Sequence, residues 1–181
     1  MKFQKHSDPP PPLEASEAAA WFAGRLPTDW FTAAPEVSAD AEEILVVGTL
    51  GDVDLPETAT DAERSTARAA RIGGFRQDTR DRRVRIALEA EHRFGRKVSW
   101  GAVCGDRREL FTTLSVPFMT RLRMPEREVL DTLVEAGVAR SRSEALAWCV
   151  RLVGRNQAEW IESLRTALGA VGRARAEGPE A

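Results

Sequence analysis

The side chains best suited by type and spacing to do chemistry are Arg121 and Arg123, one residue apart in the stretch Phe118-Met119-Thr120-Arg121-Leu122-Arg123-Met124. A guanidinium is planar, always charged and forked, so it pairs bidentately with phosphate or with the O6/N7 edge of guanine. Farther on, Ser141-Arg142-Ser143-Glu144 spells a capping box, with serine at the N-cap and glutamate three residues later. A helix starting there leaves the amides near Arg142 and Ser143 facing outward at a positive dipole end, where a phosphate is held. Other reactive types do not assemble. His92 lies late in a helix among arginines without a nearby nucleophile, and Cys104 lies at a turn without a basic partner. Two cysteines (Cys104, Cys149) and two histidines (His6, His92) are too few and too scattered for a zinc site or a disulfide framework. The thiols are expected to be reduced and partly buried. The expectation is therefore no catalytic residue, no metal, no cofactor and no enzyme.

The charge around these residues is uneven. The 181 residues carry a formal net charge of −2, with 43% hydrophobic and 30% charged residues, enough apolar material for a packed core. That near-neutrality is a cancellation. Residues 1–61 hold 3 basic and 12 acidic groups, residues 62–106 hold 11 and 6, and residues 107–155 hold 9 and 6. An acidic head thus precedes a basic body whose cations are nearly all arginine. No run of 18 apolar residues occurs, and residues 1–12 lack a signal-peptide core, so a soluble cytoplasmic protein without a membrane partner is expected.

Several elements must position these groups. The Pro9-Pro10-Pro11-Pro12 run marks residues 1–12 as a mobile tail. Residues 13–24 read as a helix, and residues 43–50 (EILVVGTL) as a strand. Residues 61–72 are helical, Gly73-Gly74 breaks or kinks them, and residues 75–94 resume with a stripe of Phe75, Thr79, Ile86, Ala90 and Phe94 closed by Gly95. Residues 97–104 and 110–116 alternate as two strands about a Gly105-Asp106 turn. Trp21, Trp30 and Trp100 belong to the core of a small domain. Arg76, Arg80, Arg83 and Arg93 offer a second set of phosphate contacts, set against the plainer reading of a solvated helix face.

After residue 117 the pattern changes to strand, Pro125, a helix over 126–136, Gly137, and the capped second helix. The segment MTRLRMPEREVLDTLVEAGVARSRSEALAWCVRLV, positions 119–153, resembles the ribbon-helix-helix family of bacterial DNA-binding proteins. The resemblance implies a homodimer, because one protomer's short strand pairs antiparallel with its partner's, and the two-stranded ribbon fits a major groove about 12 Å wide. By that family's pattern Met124, Leu122 and Thr120 point into the dimer core. Arg121, Arg123 and Met119 then point outward to read bases, Met119 departing from the polar residue often found there and meeting a thymine methyl or nothing, while Ser141, Arg142 and Ser143 hold phosphate.

The expected architecture is α+β: a tail (1–12), a small mixed helix and β-hairpin module (13–105), a ribbon-helix-helix dimer module (106–156), and a C-terminal helix with a tail frayed beyond Arg175 (157–181). Leu146, Val150, Val153, Gln157, Trp160, Leu164, Ala167 and Val171 keep a heptad spacing. The second helix either runs through Gly154 or breaks near Gly154 and Asn156 into a third helix folded back on its own protomer, with the break favoured. The expected function is a transcriptional regulator bound to double-stranded DNA. The alternative is an antitoxin-like or adaptor protein that uses the module only to dimerise and binds a protein partner through its acidic N-terminal region.

Overall fold

The structure, a computed structural model, describes residues 13–177. The expected tail at residues 1–12 lies outside the described residues, as do residues 178–181. The chain divides into two units, one ending at Pro117 and the other beginning at Phe118.

In the first unit the apolar run Glu43–Thr49 forms β2, flanked by β1 (Glu36–Ala39). β2 pairs in parallel with β3 (Lys97–Cys104), in register from Glu43 opposite Lys97 to Thr49 opposite Val103. A parallel pair needs a crossover rather than a tight turn, and α2 (Asp61–Asp78) and α3 (Arg80–Phe94) supply it. β1 and β4 (Arg107–Leu110) add antiparallel edges, giving the order β1-β2-β3-β4. Alternation sends Ile44, Val46, Trp100, Ala102 and Cys104 to one sheet face. There they bury against Ala18 and Phe22 of α1 (Ala15–Arg25), Ile72 of α2, and Ile86, Ala90 and Phe94 of α3. Trp30 and Trp100 are buried and Trp21 is half-buried against them, as their aromatic character predicts; the Trp100 ring meets Phe22 and Trp30 edge-on at centroid distances of 5.9 and 6.3 Å.

Three expectations need correction. Gly73-Gly74 does not break the helix: α2 runs through both, and the break comes at Thr79 (φ −97°, ψ 0°), where α3 begins. The helical ladder and the buried Ile72 on one side, with half-buried Phe75 on the other, outweigh the glycines' low propensity. The second hairpin strand is Arg107–Leu110, not residues 110–116. Gly105 takes a left-handed φ of 58°, so the tight turn pairs Cys104 directly with Arg107. The ladder ends at Phe111, whose N–H donates to the Trp100 carbonyl at 2.7 Å. β4 thus belongs to the first unit, and the division falls at residue 117 rather than 105. The edge strand β1 and the capping box of Thr60 with Glu63 at the start of α2 were not expected, although T-D-A-E spells that box.

An ion-pair clip ties the loop after β2 to the β3–β4 turn. Arg68 on α2 pairs with Asp52 at 2.6 Å and with Asp106 at 2.7 Å. The Arg68 hydrogen bond holds the Asp52 carboxyl down at about 2. Cys104 lies 3.7 Å from Asp52 Oδ1, and burial pushes its thiol up, which keeps it protonated and unreactive.

The second unit holds α4 (Met124–Glu135), α5 (Arg142–Asn156) and α6 (Ala158–Glu177). α5 continues through Gly154 and stops at Asn156; Gln157 (φ −121°, ψ 28°) makes the break. A third helix therefore exists and extends to Glu177, past the expected fraying point at Arg175. It is not folded back into a core, because no described residue of α6 is buried.

Candidate nucleic-acid interface

The expected strand over 118–124 does not form in the single chain: residues 118–123 make no ladder, because no second strand lies beside them there, and a helix starts at Met124. Arg123, just before that helix, is extended (φ −82°, ψ 175°), and Pro125 sits in the first helical turn, where its missing N–H costs nothing. Arg127 holds the segment's end by donating from Nη1 to the Leu122 carbonyl at 3.0 Å.

The turn between α4 and α5 is a Schellman motif. Gly137 takes φ 73°, its N–H donates to the Val134 carbonyl at 3.0 Å, and the Val138 N–H donates to the Leu133 carbonyl at 3.0 Å. Ser141 caps α5, accepting from the Glu144 N–H at 3.2 Å. The Glu144 carboxylate reaches back one residue farther than a standard box and accepts from the Arg140 N–H at 2.8 Å.

Packing sorts the candidate residues. Leu130, Ala139 and Ala145 form a small buried cluster, with Leu122, Leu133, Val134, Leu146 and Cys149 packed against it. Leu122 turns onto that cluster while its neighbours Arg121 and Arg123 are exposed. Thr120 and Met124, expected inward, are exposed in the single chain, Met124 at 63%. Met119 is fully exposed. It shares a groove of about 400 Å³ with Thr120, Leu122, Arg142, Ser143 and Leu146. Met119 therefore meets two of the three expected phosphate-holding residues there, whereas Arg121 and Arg123 do not line the groove.

Arg142 is already engaged. It pairs bidentately with Asp131 of α4 at 2.6 and 2.7 Å, which holds the Asp131 carboxyl below the usual range and raises the guanidinium. That partner was not foreseen; Asp131 at an α4 position facing the start of α5 was its only trace in the sequence. Arg83, offered as a flanking phosphate contact, is 7% exposed, too buried to lie along a DNA backbone. Its place between Thr79 and Ile86 on the α3 stripe was the available signal.

Two family descriptions match the chain: "Rv1265-like protein, N-terminal domain" over residues 16–110 and "Mb1296 C-terminal domain" over residues 123–175. Relatives include "Uncharacterized protein Rv1265" of Mycobacterium tuberculosis (strain ATCC 25618 / H37Rv) and "Uncharacterized protein Mb1296" of Mycobacterium bovis (strain ATCC BAA-935 / AF2122/97). Each is 57% identical over 168 residues, covering 92% of this chain and 72% of the relative. The chain belongs to the Rv1265-like family. No solved structure matches it significantly. The first family segment spans α1 to β4 and the second spans α4 to α6, so the family's two parts fall in the two units seen here. Among the described residues no helix is long and apolar enough to cross a membrane, and no three His, Cys, Asp or Glu side chains gather as metal ligands.

Proposed function

We propose that this member of the Rv1265-like family is a homodimeric, sequence-selective DNA-binding protein of ribbon-helix-helix type that regulates transcription in the bacterial cytoplasm. Two protomers pair residues 118–123 antiparallel, and the ribbon enters the major groove. Arg121 and Arg123 read guanine edges, and the amides at the start of α5 hold flanking phosphate.

The observation that carries the reading is the phase of the segment: Leu122 lies on the helical cluster while Arg121 and Arg123 are exposed. Pairing is supported by how little one copy buries. Among its described residues the second unit has three buried hydrophobics, yet Phe118 is 88% exposed and Met119, Met124, Val150, Val153 and Trp160 are exposed with it. So small a core is too little to hold a domain alone, and a partner surface of this size is not left to water.

The test replaces Arg121 and Arg123 together by alanine in the full chain, with targets selected from random duplex DNA at near-physiological salt. Each bidentate guanine contact is worth about 1–3 kcal/mol of discrimination, so the pair should cost specific affinity at least tenfold while the dimer persists. Affinity of the unaltered protein should also fall steeply with salt, as released counterions demand. Retained specific affinity in an intact dimer overturns the base-reading roles, and a monomer in sedimentation overturns the whole reading.

One observation favours a second reading, in which the module only dimerises, as in an antitoxin-like or adaptor protein, and the acidic N-terminal region binds a protein. Asp131 occupies Arg142, and Glu144 adds a carboxylate at the very helix start where phosphate would sit. Asp131→Asn separates the two: freeing Arg142 should strengthen DNA binding under the first reading and change nothing under the second.

A further inference from the structure

A buried arginine in the first unit has no carboxylate partner. Arg83 is 7% exposed; its Nε donates to Thr79 Oγ1 at 3.0 Å and its Nη2 to the Arg76 carbonyl at 2.6 Å, both neutral acceptors. Its guanidinium stacks 4.9 Å from the Phe111 ring centroid. Among the described residues no acid pairs with it, and the like charges of Arg76 and Arg80 act on it. Burial and those two arginines lower its proton affinity, as expected of a cation short of counter-charge.

The three arginines line one cavity of about 400 Å³. Arg76 sits 5.8 Å over the Phe111 ring and Arg80 is largely exposed, with only a 3.6 Å contact to the exposed Asp81. The rest of its lining is largely apolar: Val84 and Ala87 from α3, with Val98, Trp100 and Phe111. Burying a cation without a paired anion is costly, and three cations around one concavity compound it. Forked donors beside apolar side chains suit a ligand with an oxyanion head and an apolar body.

We propose that the cavity bounded by Arg76, Arg80, Arg83, Trp100 and Phe111 binds an amphiphilic small-molecule anion, its oxyanion on the arginines and its apolar body against Val84, Ala87 and Val98. The head is a carboxylate or a phosphate, which arginine recognises alike. Phe111 and Thr112, both lining residues, begin the connector to Phe118, so a ligand there touches the start of the segment leading to the second unit. The site stands apart from the DNA-binding reading and survives its failure.

Calorimetric titration of the full chain tests this with three probes: 2-naphthoate, the neutral 2-naphthylmethanol and inorganic phosphate. Naphthoate should bind with a Kd below about 1 mM, at least tenfold tighter than the alcohol or phosphate, as one arginine–carboxylate contact implies. Arg80→Gln and Arg76→Gln, exposed positions that leave the core intact, should each weaken naphthoate fivefold or more, and bound naphthoate should change tryptophan fluorescence. Equal binding of naphthoate and the alcohol overturns the oxyanion claim. Equal binding of phosphate and naphthoate overturns the apolar wall, and unchanged affinity in both variants overturns the site.

Discussion

Replacing Gly73 or Gly74 by alanine should make the protein more stable. Both glycines lie inside α2, neither has a left-handed φ, and a Cβ added at either would meet nothing within 4 Å. The usual reasons for an interior glycine, a positive φ or a close neighbour, are therefore missing. What remains is the difference in helix propensity, about 0.8–1.0 kcal/mol per site relative to alanine, much of it from entropy that glycine retains in the unfolded chain. With no shared neighbour for the two methyls, the effects should add, reaching about 2 kcal/mol for the double variant. For a unit near 100 residues each kcal/mol moves Tm by roughly 4–8 °C, so either single change should be visible in a thermal scan followed by circular dichroism. Urea titration supplies the second measurement: the midpoint should rise while the slope stays constant, marking a change in stability rather than in compactness. A midpoint that stays or falls in both single variants would refute the reasoning. It would mean that α2 is broken at these glycines, or that something outside this chain approaches their bare backbone.

Other outcomes follow from the same structure. Gly48→Ala should act in the opposite direction, because its Cβ would lie 2.0 Å from the Phe31 ring; the ring must leave its place, for a loss of about 1–3 kcal/mol in a urea titration. Asp52 is held to about 2 by Arg68, below its unfolded value. Its contribution is present above the unfolded pKa near 3.9 and is lost as pH falls toward 2. Unfolding measured from pH 5 to 2 should show a smaller acid-induced loss in Asp52→Asn than in the unaltered protein. Trp160→Glu on the exposed face of α6 should leave helicity intact in circular dichroism, since no buried contact is lost. If that face contributes to self-association, sedimentation should show a weakened dimer.

How much was legible depends on how local the signal is. The span of β2 and β3, the turn at Gly105-Asp106, the αL position of Gly95, Pro125 in the first turn of α4 and the serine cap of α5 were all readable, because each rests on the geometry of a few neighbouring residues. β1 was not, being a four-residue edge strand with a half-exposed pattern that only pairing with β2 defines. β4 was placed too late because residues 110–116 also alternate, and the tight turn, not the alternation, sets where pairing begins. The candidate interface divides the same way. Of the inward set implied by the family resemblance only Leu122 packs on the cluster, Thr120 and Met124 being exposed, and the clamp of Arg142 by Asp131 spans eleven residues across two helices and leaves no local mark.

By itself the sequence determined an acidic head and a basic, arginine-rich body, the alternation and caps that start and stop most elements, and the Pro-helix-Gly-helix order after residue 124. These depend on composition and on contacts within a turn or two. The tertiary structure alone decided that β2 and β3 run in parallel across an α2–α3 crossover, that α2 carries Gly73 and Gly74 unbroken, and that Arg83 is buried beside Phe111 without an acid. Each is a balance between distant groups: a ladder or a buried ring outweighs local propensity, and a charge gains or lacks its partner only when remote segments close around it.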